Sequence, residues 1–233
     1  MKIGFCFFGI IYGPGGRTGS VRDFRHCWPN LKSMLIEPFV AQGHEAKIYF
    51  SGYPFTDREI ENQFHEIVKP DGIVYSNFDG SDPFTTKGKA FDAFEHEDLD
   101  LIVFTRSDIH FSKIIANENI DYDKFNFLFR ELDWWETNEF TCDNLYIYPH
   151  KWTPIVKKAI FDTYGFPRGK PLVDTHALFV KLKEYLPVDK MHTISDTHEL
   201  SDVNSYYTCC RSGLPTSGRG ENIHPEVRER FHE

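Results

Sequence analysis

A chain of 233 residues, 40% of them hydrophobic and with no low-complexity tract, can build one large core or two small ones. Phe occurs 22 times, which points to a core held by aromatic packing. The net charge of −9 excludes a broad nucleic-acid surface, which needs a basic face; Arg17, Arg22 and Arg25 can still hold an anion locally.

Residues 2–9 are a continuous apolar run, as in a central strand covered on both faces. The start superficially resembles a signal peptide, but the apolar run is short. Gly13-Pro14-Gly15-Gly16 stands where a small-x-small cleavage site belongs. Residues 13–20 read as a glycine-rich loop. Residues 21–42 read as a helix with Leu31, Leu35, Ile36 and Phe39 on one side, kinked or shortened by Pro38 and stopped at Gly43. A second strand covers 46–51, Asp57 caps a helix running to about Val68, and a third strand covers 72–76. Thr85 or Thr86 opens a helix through Lys89, Phe91, Phe94 and Glu95, and a fourth strand covers 101–105.

This alternation predicts an α/β fold with a mostly parallel sheet and right-handed crossovers. The second half is less regular, with strands at 125–130 and 144–148 and helices at 154–164 and 172–185. From Ser212 onward Gly213, Pro215, Gly218 and Gly220 precede a charged end. Residues 1–211 therefore read as one domain and 212–233 as a tail or a linker to further domains. No run reaches the ~20 apolar residues of a membrane helix. Cys6, Cys27, Cys142, Cys209 and Cys210 are scattered without a CxxC pair, which argues against structural zinc and for a reduced, cytoplasmic setting.

Residues 98–111 deliver Arg106, Asp108 and His110 at the carboxyl end of the fourth strand, the edge at which α/β sheets bind ligands. A carboxylate and an imidazole two residues apart on extended chain point the same way. They can share one divalent cation, Mn²⁺ more readily than Mg²⁺ because of the imidazole. Such a cation, bridging a diphosphate, stabilises it as a leaving group. The plainer reading makes Ser107 or Asp108 the cap of a helix starting near Ile109.

The other candidates each have a plain alternative. The loop from Tyr12 to Ser20, with Arg17, suits a phosphate, or is simply a surface loop. Lys87 or Lys89 can reach the diphosphate, or lie on a solvated helix face. Ser76, Asn77 and Asp79 can touch base or ribose, or form a turn. Trp134 and Trp135 can stack on a sugar acceptor while Asp143 takes a proton from its hydroxyl; the alternative is core tryptophans and a turn aspartate. Asp174, His176, His192, Asp196 and His198 are weaker candidates for a further metal ligand.

Taken together, "KIGFCFFG", "TTKGKAFDAFE", "DLDLIVFTRSDIHF" and "TCDNLYIYPHKW" make the chain, over about residues 1–210, similar to small GT-A-type glycosyltransferases. These include enzymes with which large DNA (chlorella-type) viruses glycosylate their own capsid protein, and related bacterial enzymes. The resemblance implies a GT-A-like single domain that moves a sugar from a nucleotide-sugar donor, UDP-linked, to a glycan or glycoprotein hydroxyl. It implies Mn²⁺ or Mg²⁺ at Asp108 and His110 with Arg106 beside them, although His110 stands where the family's Asp-x-Asp triplet has its second aspartate. It assigns the nucleotide to the loop from Gly9 to Arg17 and the catalytic base to Asp143. Two rivals stay open. Gly15-Gly16-Arg17-Thr18 faintly resembles the nucleotide loop of a sugar nucleotidyltransferase. A non-catalytic nucleotide- or carbohydrate-binding module could keep the same fold.

Overall fold

The computed structural model describes residues 1–15, 20–76, 84–130, 139, 141–164, 177–195, 206–211 and 214–216. Its frame is a seven-stranded sheet. The strands are β1 (Lys2–Phe8), β4 (Glu45–Gly52), β5 (Gly72–Tyr75), β6 (Leu101–Arg106), β8 (Phe125–Phe127), β9 (Leu145–Pro149) and β10 (Met191–Thr193), in the spatial order β10-β8-β9-β6-β1-β4-β5. β1 pairs in parallel with β4 and β6, β4 with β5, and β8 with β10. β9 alone runs antiparallel to both of its neighbours, β6 and β8. The expected mostly parallel α/β sheet is therefore present.

The central strands are apolar throughout because both of their faces are covered. Along β1, Ile3, Phe5 and Phe7 enter one core cluster while Cys6 and Phe8 enter the other. Along β6, Leu101 and Val103 face the first cluster and Ile102 and Phe104 the second. The first cluster is closed by α1 (Phe24–Asn30), α2 (Glu37–Ala41) and α3 (Arg58–Val68), through residues such as Trp28, Phe39 and Phe64. The second lies beneath the turn after α4 (Phe84–Lys89), α5 (Thr153–Tyr164) and α6 (Leu178–Leu182). Burying each such Phe or Leu contributes about 1.5–3 kcal/mol before entropy is counted. The rings interlock: Phe7 stacks on Phe50 at 4.9 Å, and Phe8 on Phe104 at 4.9 Å.

Three local features differ from the sequence reading. The glycine-rich segment is in part a hairpin, β2 (Tyr12–Gly15) antiparallel to β3 (Ser20–Asp23), so the following helix begins at Phe24, capped by Asp23. That helix is one rod of α1, a π-helical stretch over Leu31–Ile36, and α2. In the widened stretch the Glu37 N–H donates to the Lys32 carbonyl, five residues back. Pro38, at the start of α2, lacks an N–H and crowds the preceding turn, and the wider turn gives its ring room. Finally, no helix begins at Ile109. Ser107 and Asp108 form a tight turn into β7 (Ile109–Phe111), which pairs with β11 (Tyr207–Arg211), itself paired with β12 (Leu214–Thr216). β12 lies beyond Ser212, where the sequence reading began a tail. Among the described residues no helix is long and apolar enough to cross a membrane.

Candidate functional site

The carboxyl edge of the sheet is assembled from distant parts of the chain. β1 and β6 end together, with Phe8 paired to Arg106. β9 runs the other way, so its first residue, Leu145, meets Thr105, and Asp143 and Asn144 arrive at the same edge. Past Phe8 the chain turns at Gly9, whose φ of +120° is a conformation that side-chain-bearing residues rarely adopt. The Gly9 N–H donates to the Ser51 carbonyl at 3.0 Å. The Ser107 N–H donates to the Phe8 carbonyl at 2.9 Å and its hydroxyl to the Ile10 carbonyl at 3.2 Å, tying the two loops together.

Asp108 sits at the centre of this edge and is only 8% exposed. Arg106 donates to it twice, Nε to Oδ1 at 2.8 Å and Nη2 to Oδ2 at 2.7 Å. Arg22, buried on β3, donates Nε to the same Oδ2 at 3.1 Å. Two guanidinium groups thus converge on one carboxylate. A third cation, Lys87, is buried on α4. Its Nζ lies over the rings of Phe8 at 5.2 Å and Tyr146 at 4.7 Å. It donates to the Tyr146 hydroxyl at 3.1 Å and to the Asp143 carbonyl at 3.3 Å. A cation held on aromatic faces and largely stripped of water acts strongly on a neighbouring anion.

Beneath the edge lies a polar group that the sequence reading did not find. The Thr105 hydroxyl donates to the Asn144 carbonyl at 2.6 Å, and the Asn144 amide donates to the Tyr207 hydroxyl. The Asn144 Oδ1 is buried and, among the described residues, has no hydrogen-bond partner. The same holds for the hydroxyls of Ser51, near the end of β4, and Ser76, just past β5. Such orphaned buried atoms suit a ligand that supplies the missing partners.

Of the candidates read from the sequence, Gly9, Ser76, Lys87, Arg106, Asp108 and Asp143 lie along this edge. His110, half-buried on β7, is opposite Thr208 of β11. Arg25 is engaged elsewhere: it forks onto Asp23 and reaches Gln63. Lys89 is exposed. His192 is on β10, three strands from β6, with its Nε2 2.8 Å from the Asn119 carbonyl. Arg17, Asn77, Asp79, Trp134, Trp135, Asp174, His176, Asp196 and His198 lie outside the described residues. Arg22 was noted in the sequence only as part of a basic cluster; its partner is 86 positions away, so no local signal marks the pairing.

The donor set fits a divalent cation poorly. Both oxygens of Asp108 already accept from guanidinium groups, and a cation there would face two positive neighbours. Among the described residues there is no group of three or more His, Cys, Asp or Glu that could hold a metal ion.

No family model matches the sequence, and no curated protein matches it. Among solved structures the chain is similar to a glycosyltransferase involved in the glycosylation of the major capsid of PBCV-1, at 12% identity and a TM-score of 0.41. That match covers 84% of this chain and 82% of the other. The chain is also similar to the apo-form glycosyltransferase GlyE of Streptococcus pneumoniae TIGR4, at 12% identity and a TM-score of 0.47. Here it covers 84% of this chain but only 45% of that one.

Proposed function

We propose that the protein is a glycosyltransferase that moves a sugar from a nucleoside-diphosphate donor, UDP-linked, to a hydroxyl of a glycan or glycoprotein. The observation that carries the reading is the set of cations at the carboxyl edge of the sheet. Arg22, Arg106 and Lys87 come from three separate segments, and the two arginines are fixed on one buried carboxylate. Planar guanidinium forks suit phosphate oxygens, and a dehydrated ammonium stabilises charge that develops on a departing diphosphate. The unpartnered Ser51 and Ser76 hydroxyls favour a ribose or base at the neighbouring strand ends.

In this reading the acceptor oxygen attacks the anomeric carbon while the bond from that carbon to the diphosphate oxygen breaks. The bonding pair leaves on UDP. Asp143, half-buried at the same edge, takes the acceptor proton. The sequence assigns the acceptor side to Trp134 and Trp135 and the nucleotide side to Arg17 and Asn77, four residues that lie outside the described ones.

The test is release of UDP from UDP-hexoses, with and without glycan acceptors. Acceptor-stimulated release that disappears in Asp143→Asn, with UDP binding retained, supports the reading. Release of pyrophosphate from UTP and a sugar phosphate would instead make the protein a nucleotidyltransferase. UDP binding without any release would make it a binding module.

A further inference from the structure

We infer that the donor diphosphate is neutralised here by the Arg22–Arg106 pair and not by a divalent cation, with Asp108 positioning the two guanidinium groups. This rests on the donor-site reading above.

Three observations support it. First, the Asp108 oxygens are engaged as acceptors by guanidinium groups at 2.7, 2.8 and 3.1 Å. Those bonds take three of the carboxylate's roughly four lone-pair sites and leave one, on Oδ1, for a metal ion. Second, Arg22, Arg106 and Lys87 set against the carboxylates of Asp108 and Asp143 leave one formal positive charge among these five groups. That charge repels a cation and attracts a diphosphate. Third, the clamp is built before any ligand arrives. Arg22 and Asp108 are each about nine-tenths buried, and the adjoining Ser107 is tied to the Phe8 and Ile10 carbonyls. Ordering two long side chains in advance removes that cost from binding.

The experiment is calorimetric titration of UDP into the full chain, once in EDTA and once with excess MnCl₂. The expected result is UDP binding in EDTA, with affinities in the two buffers that differ by less than about threefold. A larger gain with Mn²⁺, or binding that requires it, overturns the inference and leaves the glycosyltransferase reading standing. A chain that binds UDP in neither buffer removes the donor-site reading and this inference with it. In EDTA, Arg106→Gln is expected to weaken UDP by about tenfold or more, the loss of a charge-assisted fork. Asp108→Asn separates a positioning residue from a metal ligand: the loss of UDP affinity should be the same in both buffers. A loss confined to the Mn²⁺ buffer would make Asp108 a metal ligand and overturn the inference. The wild-type comparison decides the matter even where a variant fails to fold.

Discussion

Asn30, in the last turn of α1, grips the backbone of Phe111 on β7 from both sides. Its Nδ2 donates to the Phe111 carbonyl at 2.9 Å, and its Oδ1 accepts from the Phe111 N–H at 2.6 Å. The side-chain amide thus behaves as one residue of a neighbouring strand, closing the edge of β7 that β11 does not cover. It also fixes the short strand that follows Asp108. Asn30→Ala leaves a buried N–H and a buried carbonyl without partners. The expected destabilisation is about 3 kcal/mol, measured by urea unfolding. An unchanged midpoint would show that water takes over both bonds.

Gly9 sets the direction of the chain as it leaves β1. A Cβ added there would meet the Ser107 Oγ at 3.4 Å, an ordinary contact, so space is not the obstacle. The obstacle is the φ of +120°. Gly9→Ala should cost about 1–3 kcal/mol of stability. Relief of the strain would move the Gly9–Ile11 loop relative to Ser107, so UDP affinity should fall further than stability alone explains. Urea unfolding and UDP titration on one preparation measure the two effects separately.

The sheet was legible in the sequence because its strands obey a local rule: residues covered on both faces are apolar without interruption. The run through Phe5, Phe7 and Phe8 and the run through Ile102, Val103 and Phe104 are of this kind. Asp57 was legible for the same reason, since a cap bonds within its own turn, here to the N–H groups of Glu59 and Ile60. The hairpin before α1 was not legible. Its strands carry Gly13, Pro14 and Gly15, residues that weaken strands wherever local preference decides. The chemistry of Asp108 was illegible in a different way. Its two-residue spacing to His110 is local and can be read, whereas its contact with Arg22, 86 positions away, leaves no record in the intervening sequence.

The start of α1 gives stability a pH dependence. Burial alone would push the pKa of Asp23 up, but the hydrogen bonds and charge of Arg25 outweigh it, and the carboxyl titrates below its ordinary range. A group depressed in the folded state stabilises the fold at pH values above its unfolded pKa of about 3.9. That contribution is lost as the pH falls through the folded value. Asp23→Ala removes the cap on the Arg25 N–H and should cost about 1 kcal/mol near neutrality. The difference from wild type should hold down to about pH 5 and shrink below about pH 4. A gap that widened on acidification would reverse the sign assigned to Asp23.

Lys87 offers the sharpest separation of stability from function. Its stem is buried, and its ammonium lies between the rings of Phe8 and Tyr146, beside the Asp143 carbonyl. A lysine kept there for the fold alone would be an expensive choice, because an apolar chain of the same length packs against the same rings. Lys87→Met should therefore cost no more than about 2 kcal/mol, mostly from the bonds lost to Tyr146 and Asp143. UDP release from the sugar donor should fall by about a hundredfold, because the dehydrated charge beside the leaving group is gone. Lys87→Arg should restore little of it: a guanidinium spreads its charge over a planar fork and does not set a compact point charge beside the Asp143 carbonyl. Turnover of Lys87→Met close to wild type would make Lys87 a packing residue and confine the diphosphate to the arginine side of the edge.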